Sequence, residues 1–185
     1  MSLPSSNVRC HGCNYQGVMQ PRSVKLRYAL PSGDTVDSHR VFGWCETCDG
    51  IRDIEGKLDA DGIRRDISER RMKTTALGGI FKRAVNRVLG GRTDDMQAEL
   101  HYLECLLRLA ELRCSPPRCL TCGGTLVTQL KFDDEGISSN YIHTCGGRLY
   151  RVPLDPDAPR FSYHPEIVLL DIEGRRMQDY FNEQL

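Results

Sequence analysis

Hydrophobic and polar positions alternate with a period of two near the start of the chain. Val24, Leu26, Tyr28 and Leu30 fall on one face, Pro-Ser-Gly-Asp follows, and Val36 to Trp44 resumes the pattern, which predicts strand, turn and strand. The same plan recurs later, with Thr125 to Phe132, the turn Asp-Asp-Glu-Gly, and Ile137 to His143. From Asp61 to Arg113 the period changes to that of a helix. Leu77, Ile80, Phe81, Ala84, Val85 and Val88 make one stripe, ended by Gly90-Gly91, and Met96, Leu100, Leu103, Leu107 and Ala110 make a second. Thr93 is placed to cap the second helix, with Asp94 and Asp95 in its first turn, so an antiparallel hairpin is expected. Ser115-Pro116-Pro117 then stops the helix. Asp53-Ile54-Glu55-Gly56 and Asp171-Ile172-Glu173-Gly174 echo one another, and both are expected to close strands.

Composition narrows the class. The 185 residues are 39% hydrophobic and 27% charged, which fits an ordinary folded chain and excludes wholesale disorder. The longest aliphatic run, Ile167 to Leu170, is far too short to span a bilayer, and the first residues lack the apolar stretch of a secretory signal. A cytoplasmic, reducing compartment is therefore expected, where structural disulfides are rare and nine cysteines need another cause.

Their spacing supplies it. Cys10/Cys13, Cys45/Cys48 and Cys119/Cys122 each have two residues between thiols, whereas random placement would give roughly 0.4 such pairs. That spacing lets a tight turn aim both thiolates at one tetrahedral ion, with glycine N–H groups pointing at sulfur. A tetrapeptide of the right kind recurs as Thr47-Cys48-Asp49-Gly50, Thr121-Cys122-Gly123-Gly124 and Thr144-Cys145-Gly146-Gly147. Over residues 8–56 and 117–152 the pattern resembles zinc ribbons as a class, in which two knuckles clamp one zinc at the end of a β-hairpin. The resemblance implies structural zinc and says little about function.

Nearest-neighbour pairing makes Cys10, Cys13, Cys45 and Cys48 the first site, an all-thiolate set that leaves no position for water. A redox dithiol is the alternative, although no thioredoxin-like unit follows either pair. The second site joins Cys119 and Cys122 to His143 and Cys145, since residues two apart on a strand share a face. Cys114 and His164 are substitutes for its fourth ligand, and a degenerate, metal-free site is the plain alternative. Cys105 reads as a buried apolar residue, and Trp44 packs over the first site or is simple core.

The expected architecture is thus α+β, with two zinc-ribbon-like β modules flanking a central basic helical hairpin. Its boundaries are 1–58, 59–115 and 116–185, and its cofactors are two structural zinc ions. Net charge is zero, yet Arg64, Arg65, Arg70, Arg71, Lys73, Lys82, Arg83, Arg87 and Arg92 face only Asp66 and Glu69 between residues 64 and 92. Guanidinium forks suit phosphates, so the leading expectation is a nucleic-acid-binding accessory factor, DNA or RNA, using this segment. The alternative is an adaptor or scaffold subunit whose partner is protein, with the basic face offset by Asp94, Asp95, Glu99, Glu104 and Glu111. A third reading makes Gly78 to Gly90 an interfacial membrane helix. No phosphate-cradling loop, nucleophile elbow or H-E-x-x-H motif is present, and His164-Pro165-Glu166 stands in the wrong order for a zinc deaminase, so no enzyme is expected.

Overall fold

The computed structural model describes residues 6–19, 24–78, 90–152 and 166–177, apart from the side chains of 74–78 and 90–94. Among them are nine strands and two helices: β1 (Ser6–Cys10), β2 (Gln16–Met19), β3 (Val24–Ala29), β4 (Thr35–Cys45), β5 (Gly50–Glu55), α1 (Ala60–Gly78), α2 (Gly90–Leu112), β6 (Val127–Gln129), β7 (Ile137–Ile142), β8 (Arg148–Arg151) and β9 (Glu166–Leu170). The protein is α+β, and its strands form two sheets.

Strands from the two ends of the chain share those sheets. The first sheet runs β2-β1-β8-β7, so that Val8, Arg9 and Cys10 pair antiparallel with Arg151, Tyr150 and Leu149. The second runs β5-β4-β3-β9, with β9 parallel to β3 and β6 added along β4. The boundaries expected at 58 and 116 therefore do not separate two independent sheets. Cross-strand pairing over long sequence distances interleaves what neighbouring hairpins were expected to keep apart.

β4 is the organising strand. It has eleven residues, many of them β-branched or aromatic, as a long half-buried strand prefers. Its first part pairs with β3 through residues 35–39, and its last part pairs with β5 through 40–45 and with β6 through 43–45. Gly43 stands where β6 comes closest, since a Cβ there would run into Ile54 and the Thr128 carbonyl.

The helices cover one face. Leu26, Tyr28, Leu30 and Val36 of the β3–β4 hairpin meet Cys105, Leu106 and Leu109 of α2, together with Val168 and Leu170. Cys105 is buried in this core, as its place among leucines predicts. α1 and α2 run antiparallel, because Arg64 near the start of α1 pairs with Glu111 near the end of α2, while Arg70 and Arg71, further along α1, pair with Glu99 and Glu104 further back. Within the described residues α2 runs from Gly90, so Gly90-Gly91, expected as the turn that ends the first stripe, and Thr93, expected as the cap of the second, both lie inside helix, while most of the stripe from Leu77 to Val88 lies outside the described residues.

A second core unites Val8, Met19, Trp44, Ile51, Leu130 and Leu149, and a third, small one holds Cys45, Ile54 and Cys119. Both lie among strands from the two ends of the chain. No described helix is long and apolar enough to cross a membrane.

Candidate metal centres

Two tetrahedral Cys/His clusters stand on the sheets, and each takes one knuckle from each end of the chain. Cys10, Cys13, His143 and Cys145 form one, Cys45, Cys48, Cys119 and Cys122 the other, with the ligand atoms of each set within 4.8 Å of one another. The same eight residues that spacing singles out are gathered, but in a different partition. The expected set of Cys10, Cys13, Cys45 and Cys48 does not form, and neither does that of Cys119, Cys122, His143 and Cys145. The physical reason is sheet pairing: β1 lies against β8, which starts three residues after Cys145, and β4 carries Cys45 against Val127 of β6.

The spacings suit a common ion. A tetrahedral metal with bonds of ~2.3 Å to sulfur has S···S edges of about 3.8 Å and slightly shorter S···N edges. In the first cluster Cys10 and Cys145 sulfurs are 3.4 Å apart, and His143 Nδ1 lies 3.6 Å from Cys13 Sγ and 3.2 Å from Cys145 Sγ. In the second, Cys45 and Cys122 sulfurs are 3.6 Å apart, and those of Cys48 and Cys119 3.9 Å. Four donors converge in each case, and both clusters can hold a metal ion.

Local sequence explains the knuckles. In all three copies of the recurring tetrapeptide the residue after the cysteine has a positive φ: 46° at Asp49, 71° at Gly123 and 83° at Gly146. Two of the three are glycine, which adopts this conformation without penalty. The turn then aims the next N–H at sulfur, from Gly124 to Cys122 at 3.4 Å and from Gly147 to Cys145 at 3.4 Å. Gly12 N–H does the same for Cys10. His143 and Cys145 do not reach the metal position as alternate residues of a strand, because β7 ends at Ile142. They sit on a tight turn closed by the Gly146 N–H on the His143 carbonyl at 2.8 Å, so this segment is a knuckle with histidine in the first place. The two knuckles of the first cluster touch: a Cβ on Gly147 would stand 2.5 Å from Gly12 N and 2.7 Å from Cys10 Sγ.

Electrostatics differ across each cluster. The His143 imidazole and the Gly147 N–H pull the exposed Cys145 thiol down to about 6. The Gly124 N–H pulls Cys122 down to about 7, whereas burial and neighbouring thiols push Cys48 up to about 12. In each cluster one thiol is thus drawn towards the acidic side, with a knuckle N–H group contributing in both cases.

Beside the second cluster lies a buried ion pair that the sequence does not announce. Glu55 is fully buried, accepts the Tyr28 hydroxyl at 2.6 Å and takes both Arg113 amino groups at 3.0 and 2.5 Å. It also accepts the Arg118 N–H at 2.6 Å, next to Cys119. Glu173 accepts the N–H groups of Cys114 and Ser115, so the two echoed Asp-Ile-Glu-Gly segments grip one linker, residues 113–118, from two sides. The expectation that both close strands holds for β5 alone; Asp171 to Gly174 forms a turn, with Gly174 at φ 75° against Glu55 and Arg113. The repeated tetrapeptide was the only signal for this pair of carboxylates.

The remaining candidates resolve one by one. Cys114 is exposed on the linker and joins neither cluster, and His164 lies outside the described residues. Trp44 is fully buried and packs edge-on to His143 with ring centroids 5.1 Å apart. Tyr141 stacks on Trp44, and Tyr150 stacks on His11, each half-buried. The cations of α1 meet carboxylates: Arg64 contacts Asp61 and Glu111, Arg65 Asp59, Arg70 Glu99, Arg71 Glu104 and Lys73 Glu69. Lys82, Arg83 and Arg87 lie outside the described residues, as does the side chain of Arg92.

No protein-family model, curated protein sequence or solved structure matches the chain.

Proposed function

We propose that the protein binds two zinc ions as structural cross-links and serves as a non-catalytic adaptor or scaffold subunit with a protein partner. The observation that carries the metal reading is the convergence of four sulfur or imidazole donors in each cluster at tetrahedral spacing. Cys₄ and Cys₃His donor sets suit zinc, and a closed set of four leaves no position for substrate or water. Small sheets bury little apolar surface, so each ion supplies stability that the strands lack on their own. Knuckles at both ends of hairpins keep the resemblance to zinc ribbons, here with partners exchanged between them.

The adaptor reading is favoured over nucleic acid because the described cations of α1 are matched by carboxylates, three of them on α2. Ion pairing of this kind leaves little free positive potential for phosphates. Two measurements test the proposal. Elemental analysis of the purified protein should find two zinc ions per chain, falling to one or none in Cys45→Ser or Cys10→Ser. Fluorescence anisotropy against single- and double-stranded DNA and RNA should show no salt-sensitive binding; affinity that falls steeply with salt would return the nucleic-acid reading to the lead and point to Lys82, Arg83, Arg87 and Arg92.

A further inference from the structure

We propose that Trp44 and Tyr15 couple the two metal centres, so that binding of one ion raises the affinity for the other. The inference rests on the two-metal reading above and concerns how the sites are regulated.

Trp44 belongs to both centres at once. Its backbone precedes Cys45, a ligand of the second cluster, and is held between β5 and β6 by pairing with Ile51 and Thr128. Its side chain, 0% exposed, reaches the first cluster, where it meets the His143 ring nearly perpendicular at 5.1 Å and stacks on Tyr141 at 5.1 Å. Tyr15 makes the reciprocal tie. It lies two residues beyond Cys13, its ring is 5.2 Å from His143 and 5.0 Å from Trp44, and its hydroxyl accepts the Ile51 N–H at 3.0 Å, three residues beyond Cys48. An ion that fixes His143 therefore fixes the surface on which Trp44 packs, and Trp44 in turn fixes the strand end that presents Cys45. Packed aromatic contacts have discrete arrangements and transmit such constraints.

Topology adds to the coupling. Both ions join the same two halves of the chain, between Cys48 and Cys119 in one case and between Cys13 and His143 in the other. Once the inner pair is joined, the outer loop shortens from 130 intervening steps to about 59, which by loop-closure entropy favours the second ion about 3-fold. Trp44 and Tyr15 add the part that depends on the folded state.

Cobalt(II) titration of the metal-free full-length chain, read by native mass spectrometry and by the sulfur-to-cobalt absorption bands, tests this. Two equal, independent sites give half of all chains with a single ion at half saturation; a tenfold coupling lowers that share to about one quarter. The wild-type chain is expected at or below that quarter, and Trp44→Ala is expected to raise the share towards half or beyond. Trp44→Phe should lie between, because the indole N–H has no hydrogen-bond acceptor among the described residues and the loss is of ring contact alone. Tyr15→Phe removes only the hydroxyl held by Ile51 N–H and should raise the single-ion share in a chain that remains folded, which guards against failure of the alanine variant to fold. Because unequal donor sets raise the single-ion share by themselves, the deciding comparison is the cobalt affinity of the first centre in the wild-type chain and in Cys45→Ser. An affinity unchanged when the second centre is disabled overturns the coupling while leaving a metal site in place. Cooperative loading unchanged in Trp44→Phe and Tyr15→Phe overturns the role of these two residues. A chain that takes up no cobalt overturns the metal reading itself.

Discussion

The two metal centres use the same knuckle chemistry and are supported in opposite ways. Cys10, Cys13, His143 and Cys145 lie at the ends of strands in the four-stranded sheet, and behind them is a cluster of rings from Tyr15, Trp44 and Tyr141. Cys45, Cys48, Cys119 and Cys122 are backed by Ile54 and Val127, and the linker into Cys119 is held by a buried carboxylate. The first centre is held by ring packing, so exchanging one ring for another weakens contacts without leaving a buried charge unpaired. The second depends on hydrogen bonds to Glu55, which lose their value when one partner is removed. Similar donor geometry can therefore rest on foundations of very different fragility.

Removing the metal should have the largest effect of all. Dialysis of the full chain against a strong chelator is expected to melt the β signal in circular dichroism while much helical signal persists, and an unchanged spectrum would contradict the structural role of both ions. Next, Glu55→Ala leaves Arg113 buried without its partner, at 8% side-chain exposure, and should cost about 3–5 kcal/mol in denaturant unfolding. The comparison sharpens here: Glu55→Ala should lower zinc retention most at the second centre and at the first only by the smaller amount that the coupling transmits, as read by the cobalt spectrum of the Cys₃His set.

Gly147→Ala should strike the first centre directly and reach the second only through the coupling. Its new methyl meets Gly12 N and Cys10 Sγ, an overpacking expected to cost about 1–3 kcal/mol and to lower metal occupancy there.

Acid should also separate the centres. A thiol must lose its proton to bind metal, so protons compete more effectively for ligands whose pKa is high. In the second centre Cys45 and Cys48 are pushed up, Cys48 to about 12, against one thiol pulled down to about 7, Cys122. In the first only Cys13 is pushed up, and Cys145 is drawn down to about 6 by His143. As pH falls from 7 to 5, the second centre should release its ion first, read as loss of the Cys₄ cobalt absorption bands ahead of the Cys₃His bands; loss of both in one step would show that the coupling outweighs the difference in acidity. Smallest of all, Glu104→Gln breaks an exposed pair with Arg71 and should shift stability by about 0.5 kcal/mol or less.

Much of the local structure was legible along the chain. The alternation of Val24, Leu26, Tyr28 and Leu30 marks β3, and the repeated Thr-Cys-x-Gly marks three turns whose central residue has positive φ. The hairpin around the first knuckle, β1 with β2, was not marked, because Ser6 to Met19 has short strands without clear alternation. The pairing of α1 arginines with Glu99, Glu104 and Glu111 follows from an antiparallel arrangement, yet which cation meets which carboxylate depends on helix register.

Seven cysteine ligands and the three Cys-x-x-Cys turns were marked by residue type and spacing alone, since a knuckle needs only a few neighbouring residues to form, whereas His143 competed with Cys114 and His164 and its turn was expected as a strand. Which knuckles share an ion was decided by tertiary structure. Loop entropy rises so slowly with length that closing Cys13 to His143 instead of Cys13 to Cys45 costs only about 1 kcal/mol more. Against so small a preference for neighbours, the pairing of β1 with β8 and of β4 with β6 prevails, and those ladders join residues too distant in sequence for any local pattern to reveal.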